Sequence, residues 1–390
     1  MAASRVGTKP WDRVQPDSSS CRRFSSFPSL PALMRIAIDT NALYTTRAGI
    51  SRYVRKLLQA LRRHKPECLE ITEVGWPVEN FDYAQPQRAL KTLYRELLWA
   101  KLPARRMLRK AAPDVYHVTG NLVTFVPPPI PQVVTVHDLA VFRHPERFRR
   151  WHRLSGQRGS YKLRAVDHII CISQFTIREV RDVLGLPANR ISLVYYGSPF
   201  HPEEGIPQEK KPDFDIPSEF FLFVSSLEPG KNAKLIREAY KMAESRQIPL
   251  PPLLLAGTRF PGVAHEGPPP RNWRFLGHQT DETLVYLYRR AVALLFPSKY
   301  EGFGLPVVEA QALGCPVVCS RVASLPEVGG DAAYYSDMTP AAYLEAMIRL
   351  MREGPLRQEL VEKGKVHSSK FSWSKCARET VEVYRNVIKS

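Results

Sequence analysis

From Met34 onward, short apolar runs alternate with stretches whose apolar residues recur every three or four positions. Arg35–Asp39 (RIAID) reads as a strand. Ile50–Arg63 reads as a helix, because Val54, Leu57, Leu58 and Leu61 fall on one stripe of a 3.6-residue period. Further strands are predicted at Leu69–Val74, Val115–Val118, Val133–Val136, His168–Ile172 and Ile191–Tyr195, with helical patterns between most of them. Near-continuous apolar strands joined by helices argue for a parallel sheet covered on both faces.

The character changes after Tyr196. The stretch to Pro217 is rich in Gly, Pro, Lys and Glu and reads as a linker, with 198–217 its core. The strand–helix alternation then restarts: Phe220–Val224, a helix from Asn232, Leu253–Ala256, Asp281–Arg290, Val292–Phe296, Leu305–Leu313 and Pro316–Cys319. Residues from Pro340 on read as helical. The division implied is an extension over 1–33, a first α/β domain over 34–197, a second over 218–370, and a terminal helix over 371–390. Two doubly wound Rossmann-like domains in tandem place a cleft between the carboxyl ends of their sheets.

The length of 390 residues suits two cores better than one. A hydrophobic content of 44% is that of a folded chain. The longest apolar run, Ala291 to Pro297, is far shorter than the ~20 residues of a membrane span. A net charge of +18 points to acidic partners: nucleic acid, an anionic membrane or phosphorylated substrates. The six cysteines form no CxxC pair, and Cys171, Cys315 and Cys319 lie in apolar runs as reduced core residues do. Neither a zinc set nor any other metal site is expected, and a reducing cytoplasm fits. Residues 1–33 are rich in Ser, Pro and Arg and lack the apolar segment of a secretory signal. They read as a disordered extension, or as sequence ahead of a start at Met34.

The chemistry concentrates in Tyr300–Ala310, YEGFGLPVVEA. A strand feeds a loop holding Glu301, Gly302, Phe303 and Gly304, and a helix begins at Leu305 with Pro306 suited to its first turn. The glycines allow close backbone approach, and the N–H groups of the helix start favour an anion such as a diphosphate. Eight residues of helix would separate Glu301 from Glu309 by ~12 Å, the scale of a nucleotide sugar. A glycine-rich turn with two solvated glutamates is the plainer reading of that segment alone. The full string, Glu301-x7-Glu309 followed by ALGCPVVCSRVASLPEVGGDAAYY, resembles the family-4 glycosyltransferases of the GT-B fold, particularly bacterial mannosyltransferase-like members. The resemblance runs from about Met34 to the C-terminus, and it implies that 34–197 is the acceptor-side domain, that 218–370 binds the nucleotide sugar and that the 371–390 helix packs back toward the first domain.

The resemblance implies roles for other positions. Leu227–Asn232 (LEPGKN) looks like the family's donor-phosphate loop, with Lys231 on the diphosphate and Ser226 at the donor. Relatives often carry an arginine where this chain has Gly230 or Ser226, so one cationic contact is missing from the pattern. In Thr135–Leu139 (TVHDL), His137 would meet the donor sugar and Asp138 the acceptor side. Arg47–Ser51 (RAGIS) resembles the glycine-rich first loop, in which backbone near Gly49 approaches phosphates or acceptor; a helix-entry turn fits it as well. In Arg271–His278, backbone near Leu276 and Gly277 would hold the base, or form a structural strand–turn. Ser173 reads mainly as a helix N-cap, with an acceptor contact as the alternative. Asp39 reads as a turn residue rather than a ligand.

These roles imply retaining transfer of a hexose, with mannose from GDP-mannose preferred, to a glycan or lipid-linked glycan. Glu301 would bind sugar hydroxyls rather than act as a nucleophile. His137, Lys231 and Glu301 are the expected catalytic set, with no cofactor and no metal. Alternatives are UDP-glucose or a UDP-N-acetylhexosamine as donor, a catalytically impaired sugar-nucleotide binder, and a basic nucleic-acid-binding protein. The last lacks RNP and zinc-finger patterns, so no nucleic acid is expected. Arg88–Lys110 interleaves Leu and Trp with Lys and Arg. It reads as a domain helix with a basic face, or as a peripheral contact with an anionic inner membrane surface.

Overall fold

The computed structural model describes residues 33–45, 49–63, 69–76, 99, 102–120, 130–147, 150–258 and 270–390. The expectation for residues 1–32 and most of that for Arg88–Lys110 lie outside them.

Among the described residues, twelve strands form two parallel sheets. The first contains β1 (Met34–Asp39), β2 (Leu69–Val74), β3 (Val115–Val118), β4 (Gln132–Val136), β5 (His168–Cys171) and β6 (Ile191–Leu193), in the order β2-β1-β3-β4-β5-β6. The second contains β7 (Phe221–Val224), β8 (Leu253–Ala256), β9 (Trp273–Gly277), β10 (Ala293–Phe296), β11 (Val317–Cys319) and β12 (Tyr334–Tyr335), in the order β12-β11-β10-β7-β8-β9. The helices are α1 (Ala42–Thr45), α2 (Gly49–Arg63), α3 (Pro103–Ala111), α4 (Ala140–Arg143), α5 (Arg150–Tyr161), α6 (Gln174–Leu184), α7 (Ala233–Ser245), α8 (Asp281–Arg290), α9 (Leu305–Ala312), α10 (Leu325–Gly329), α11 (Pro340–Arg352), α12 (Gly354–Ser368) and α13 (Trp373–Lys389).

The period of two in each strand divides the apolar residues between faces. In β1, Ile36 and Ile38 join one core and Ala37 the other; in β7, Leu222 enters one and Phe221 and Phe223 the opposite one. One apolar cluster runs through both domains, from Ile36 and Leu57 in the first to Leu222, Phe296 and Val307 in the second. Both cores are thus tied to the seam.

Several elements stop short of their expected bounds. The last strand of the first sheet ends at Leu193 rather than Tyr195, because Tyr195 and Tyr196 leave the sheet for the seam. Asn232 adopts a left-handed conformation (φ 58°) and precedes its helix instead of opening it. The chain crosses between domains twice. Phe200 is fully buried within the first crossing, and Ser198 N–H donates to the Phe371 carbonyl of the second at 2.9 Å. Gly197 is tight against Trp373, where an added Cβ would lie 2.2 Å from the Trp373 nitrogen. After the second crossing, α13 packs on α2 and β3 of the first domain. Tyr384 Oη there lies 2.6 Å from His117 Nδ1 on β3.

Candidate active site

In open α/β sheets, ligands sit beyond the carboxyl ends of the strands where strand order reverses. In the second sheet that point lies between β7 and β10, paired at Ala293–Phe221 and Leu294–Leu222. The loop after β7 carries Ser226 and Lys231; the loop after β10 carries Glu301. The topology brings them together: Lys231 Nζ donates to Glu301 Oε1 at 2.7 Å, and Glu228 Oε1 lies 3.9 Å from the same ammonium. Both partners are mostly buried.

The Glu301–Gly304 loop is held from both domains. Ser324 Oγ lies 2.9 Å from the Glu301 carbonyl and 2.8 Å from the Phe303 carbonyl. From the first domain, Ser173 Oγ donates to the Gly302 carbonyl at 2.7 Å, with Thr176 Oγ1 at 3.3 Å. Gly302 lies so close to the end of β4 that an added Cβ would fall 1.8 Å from the His137 carbonyl oxygen. Gly304, with φ 101°, is the N-cap of α9. No side chain caps that helix and its first turn contains no acidic residue, so its N-terminal dipole is uncompensated from within. Phe303 points into the seam, its ring 5.2 Å from Tyr196 and 5.6 Å from Phe371. Leu305 is half-buried beside it.

Glu309 lies one turn deeper and is only 1% exposed. Its carboxylate accepts from Arg52 of α2 at 2.6 Å and from Tyr288 Oη at 3.0 Å. Arg52 also pairs with Asp281 at the start of α8. Burial raises the pKa of Glu309 against the pull of Arg52. Burial also draws the guanidinium down, but Glu309 and Asp281 push it up by more, so Arg52 keeps its charge. A ribose reaching Glu309 would have to share it with an arginine from the other domain.

His137 is buried at the end of β4. Its Nε2 lies 2.7 Å from the Thr119 carbonyl, which only an N–H can satisfy, and its Nδ1 meets Tyr196 Oη. Burial lowers its pKa, and the ring is neutral. Both ring nitrogens are therefore engaged by the protein in this arrangement. Asp138 Oδ1 accepts from Ala140 N–H at 3.0 Å at the entry to α4. Ser173 caps α6, accepting from Thr176 N–H at 3.0 Å, and is fully buried. Gly49 opens α2 in open space. Leu276 and Gly277 end the edge strand β9; Gly277 has φ 70° and its carbonyl accepts from Gly257 N–H at 2.8 Å. Asp39 accepts from Asn41 N–H at 2.8 Å, as a turn residue does. Among the described residues, no group of three or more His, Cys, Asp or Glu could hold a metal ion.

Residues 47–198 match the model of Glycosyltransferase Family 4, and residues 207–367 that of Glycosyl transferases group 1. The chain is 30% identical over 266 residues to the O-antigen chain mannosyltransferase B of Escherichia coli, covering 65% of this chain and 70% of that one. The chain belongs to the family-4 glycosyltransferases. A serotype-specific mannosyltransferase of the same organism is 27% identical over 310 residues, 72% of this chain and 37% of that longer protein. Among solved structures, a sucrose-phosphate synthase from Thermosynechococcus elongatus superposes with a TM-score of 0.67 at 19% identity, covering 91% of this chain and 99% of that one. The fold is GT-B.

The glycosyltransferase joins its domains at the seam through several residues to which no motif assigned a role. Glu327 accepts from Gln174 N–H at 2.7 Å and Phe175 N–H at 3.2 Å at the start of α6, and from Tyr195 Oη at 2.6 Å. A carboxylate of the second domain thus sits on a helix N-terminus of the first, where the dipole favours it. Tyr300 accepts from Leu139 N–H and donates to Glu179, both at 3.2 Å. Arg52, which clamps Glu309, is one of five charged residues in a helix read only for its apolar stripe. The one available clue was its place three residues after Gly49, at the cleft end of that helix.

Proposed function

We propose that this enzyme transfers a hexose, mannose from GDP-mannose, with retention at the anomeric carbon, to a glycan or lipid-linked glycan at the cytoplasmic face of a membrane. The observation that carries the reading is the Lys231–Glu301 pair at 2.7 Å beside the uncapped start of α9. A diphosphate entering there meets the helix N-terminus and draws Lys231 away from Glu301. The ammonium then neutralises charge developing on the leaving group, and the freed Glu301 carboxylate takes hexose hydroxyls. The acceptor hydroxyl attacks from the side on which the diphosphate leaves, a phosphate oxygen accepts its proton, and no covalent enzyme intermediate forms. The mannosyltransferase relatives support the sugar. No described helix is long and apolar enough to cross a membrane; contact through Arg88–Lys110 would be peripheral.

The test is transfer from GDP-mannose, UDP-glucose and UDP-N-acetylglucosamine, with the anomeric configuration of the product read by NMR. Lys231→Ala and Glu301→Gln should each lower kcat by ~10²-fold or more. An inverted product, or full activity in both variants, would overturn the mechanism. Activity with a uridine donor alone would overturn the choice of GDP-mannose.

A further inference from the structure

A cavity of about 560 Å³ opens beside the Lys231 loop. Asn232 and Lys299 form its inner wall: one follows Lys231 directly, and the other lies two residues before Glu301 and donates its backbone N–H to the Gly230 carbonyl at 2.9 Å. Across the seam it is bounded by His144, whose ring stands edge-on to Tyr300 at 5.1 Å. The cavity is therefore lined from both domains, and Asn232 and Lys299 in its wall are close chain neighbours of Lys231 and Glu301.

Its charge is one-sided. Lys234 and Lys299 both line it, and neither pairs with a carboxylate among the described residues. Helix α7 begins there with no side-chain cap and no acid in its first turn, whereas the α11 start beside it is already capped by Thr339 Oγ1 and has Pro340 in its first turn. The α7 N-terminus adds positive potential to the two ammonium groups. The opposing charge in the lining is Glu238, which already accepts from Lys241 at 3.2 Å. His144 is held by Glu146 at 3.2 Å. Met338, 43% exposed, supplies an apolar flank.

We propose that this cavity is a second phosphate site, which receives the phosphoryl group of the acceptor while the donor diphosphate occupies the start of α9. The inference rests on the transferase reading above. It implies an acceptor that is itself a phosphate or diphosphate ester, held by Lys234, Lys299 and the α7 N-terminus so that its hydroxyl faces Glu301.

The probe is inorganic pyrophosphate, titrated calorimetrically into the full chain already saturated with GDP or UDP. The expected result is a further binding event, weakened at least fivefold by Lys234→Ala/Lys299→Ala and largely retained by Lys234→Arg/Lys299→Arg. Nucleotide affinity should stay within twofold in both variants, which also shows that they are folded. Absence of that event, or its persistence undiminished in the alanine variant, would overturn the proposal. Should neither nucleotide bind, the donor reading fails, while the pyrophosphate titration of the same proteins still decides the cavity.

Discussion

Removing Arg52 isolates one buried charge. In Arg52→Ala, Glu309 keeps a single bond, from Tyr288 at 3.0 Å, in a site that is 1% exposed. Breaking a buried ion pair from one side costs about 3–5 kcal/mol, because the other charge stays desolvated. The remaining hydroxyl bond puts this case near the lower end, about 3 kcal/mol. The Asp281 contact is more exposed and adds little. The penalty should depend on pH. Burial already raises the pKa of Glu309, and loss of the guanidinium raises it further. Between the ordinary glutamate value and that raised one, the folded state binds more protons than the unfolded state. Stability therefore falls as pH rises through the window, and the full cost appears above it. Urea unfolding of wild type and variant, followed by tryptophan fluorescence, should show a difference of about 3 kcal/mol at pH 8 and a smaller one at pH 5. Adding Glu309→Gln to the variant should recover part of the loss. A difference below ~1 kcal/mol at pH 8, or one equal at both pH values, would refute the claim that Arg52 is the counter-ion of a buried carboxylate.

Gly302→Ala forces a methyl against the His137 carbonyl, so the loop must retreat from the first domain; kcat should drop at least ~10-fold and stability by about 1–3 kcal/mol, read by transfer assay and urea unfolding. Ser173→Ala removes both the α6 cap and the bond to Gly302, and should cost about 1–2 kcal/mol in the same unfolding experiment. His117 is fully buried, and desolvation lowers its pKa to about 3. Below the ordinary histidine value the unfolded chain takes up a proton that the folded one refuses, so stability is lost as pH falls from ~6.5 toward 3, by up to ~1.4 kcal/mol per pH unit from this group. His117→Asn should flatten that acid limb by one proton.

The fold was legible because its strands are short, apolar and separated by helices with clear stripes. Such strands belong to covered parallel sheets, and the stripe of Val54, Leu57, Leu58 and Leu61 is buried as the periodicity implies. What pattern could not supply was the edge and the seam. The edge strand β9 is only half-buried, and β12 is two residues long, so neither shows a continuous apolar run. The proximity of Lys231 to Glu301 follows from the β7–β10 neighbourhood, and the motifs named both residues without that topology. The bonds that fasten one domain to the other run between residues far apart in the chain, such as Arg52 with Glu309 and Glu327 with Gln174. No local period encodes them. The engagement of both His137 nitrogens was hidden for the same reason, since Tyr196 and Thr119 come from different loops.

The double crossing has a consequence for how this polypeptide is made. The face of α2 that holds Tyr53 is finished only by Trp373 and its helix, Tyr53 stacking on Tyr196 at 4.9 Å and Tyr196 on Trp373 at 5.8 Å. A ribosome that has delivered the whole first sheet and Tyr196 still leaves that face without Trp373 and the seventeen-residue α13 until long after the second sheet has been synthesised. Nascent chains in between carry an uncovered greasy flank, a stage at which chaperone capture or premature association would be concentrated.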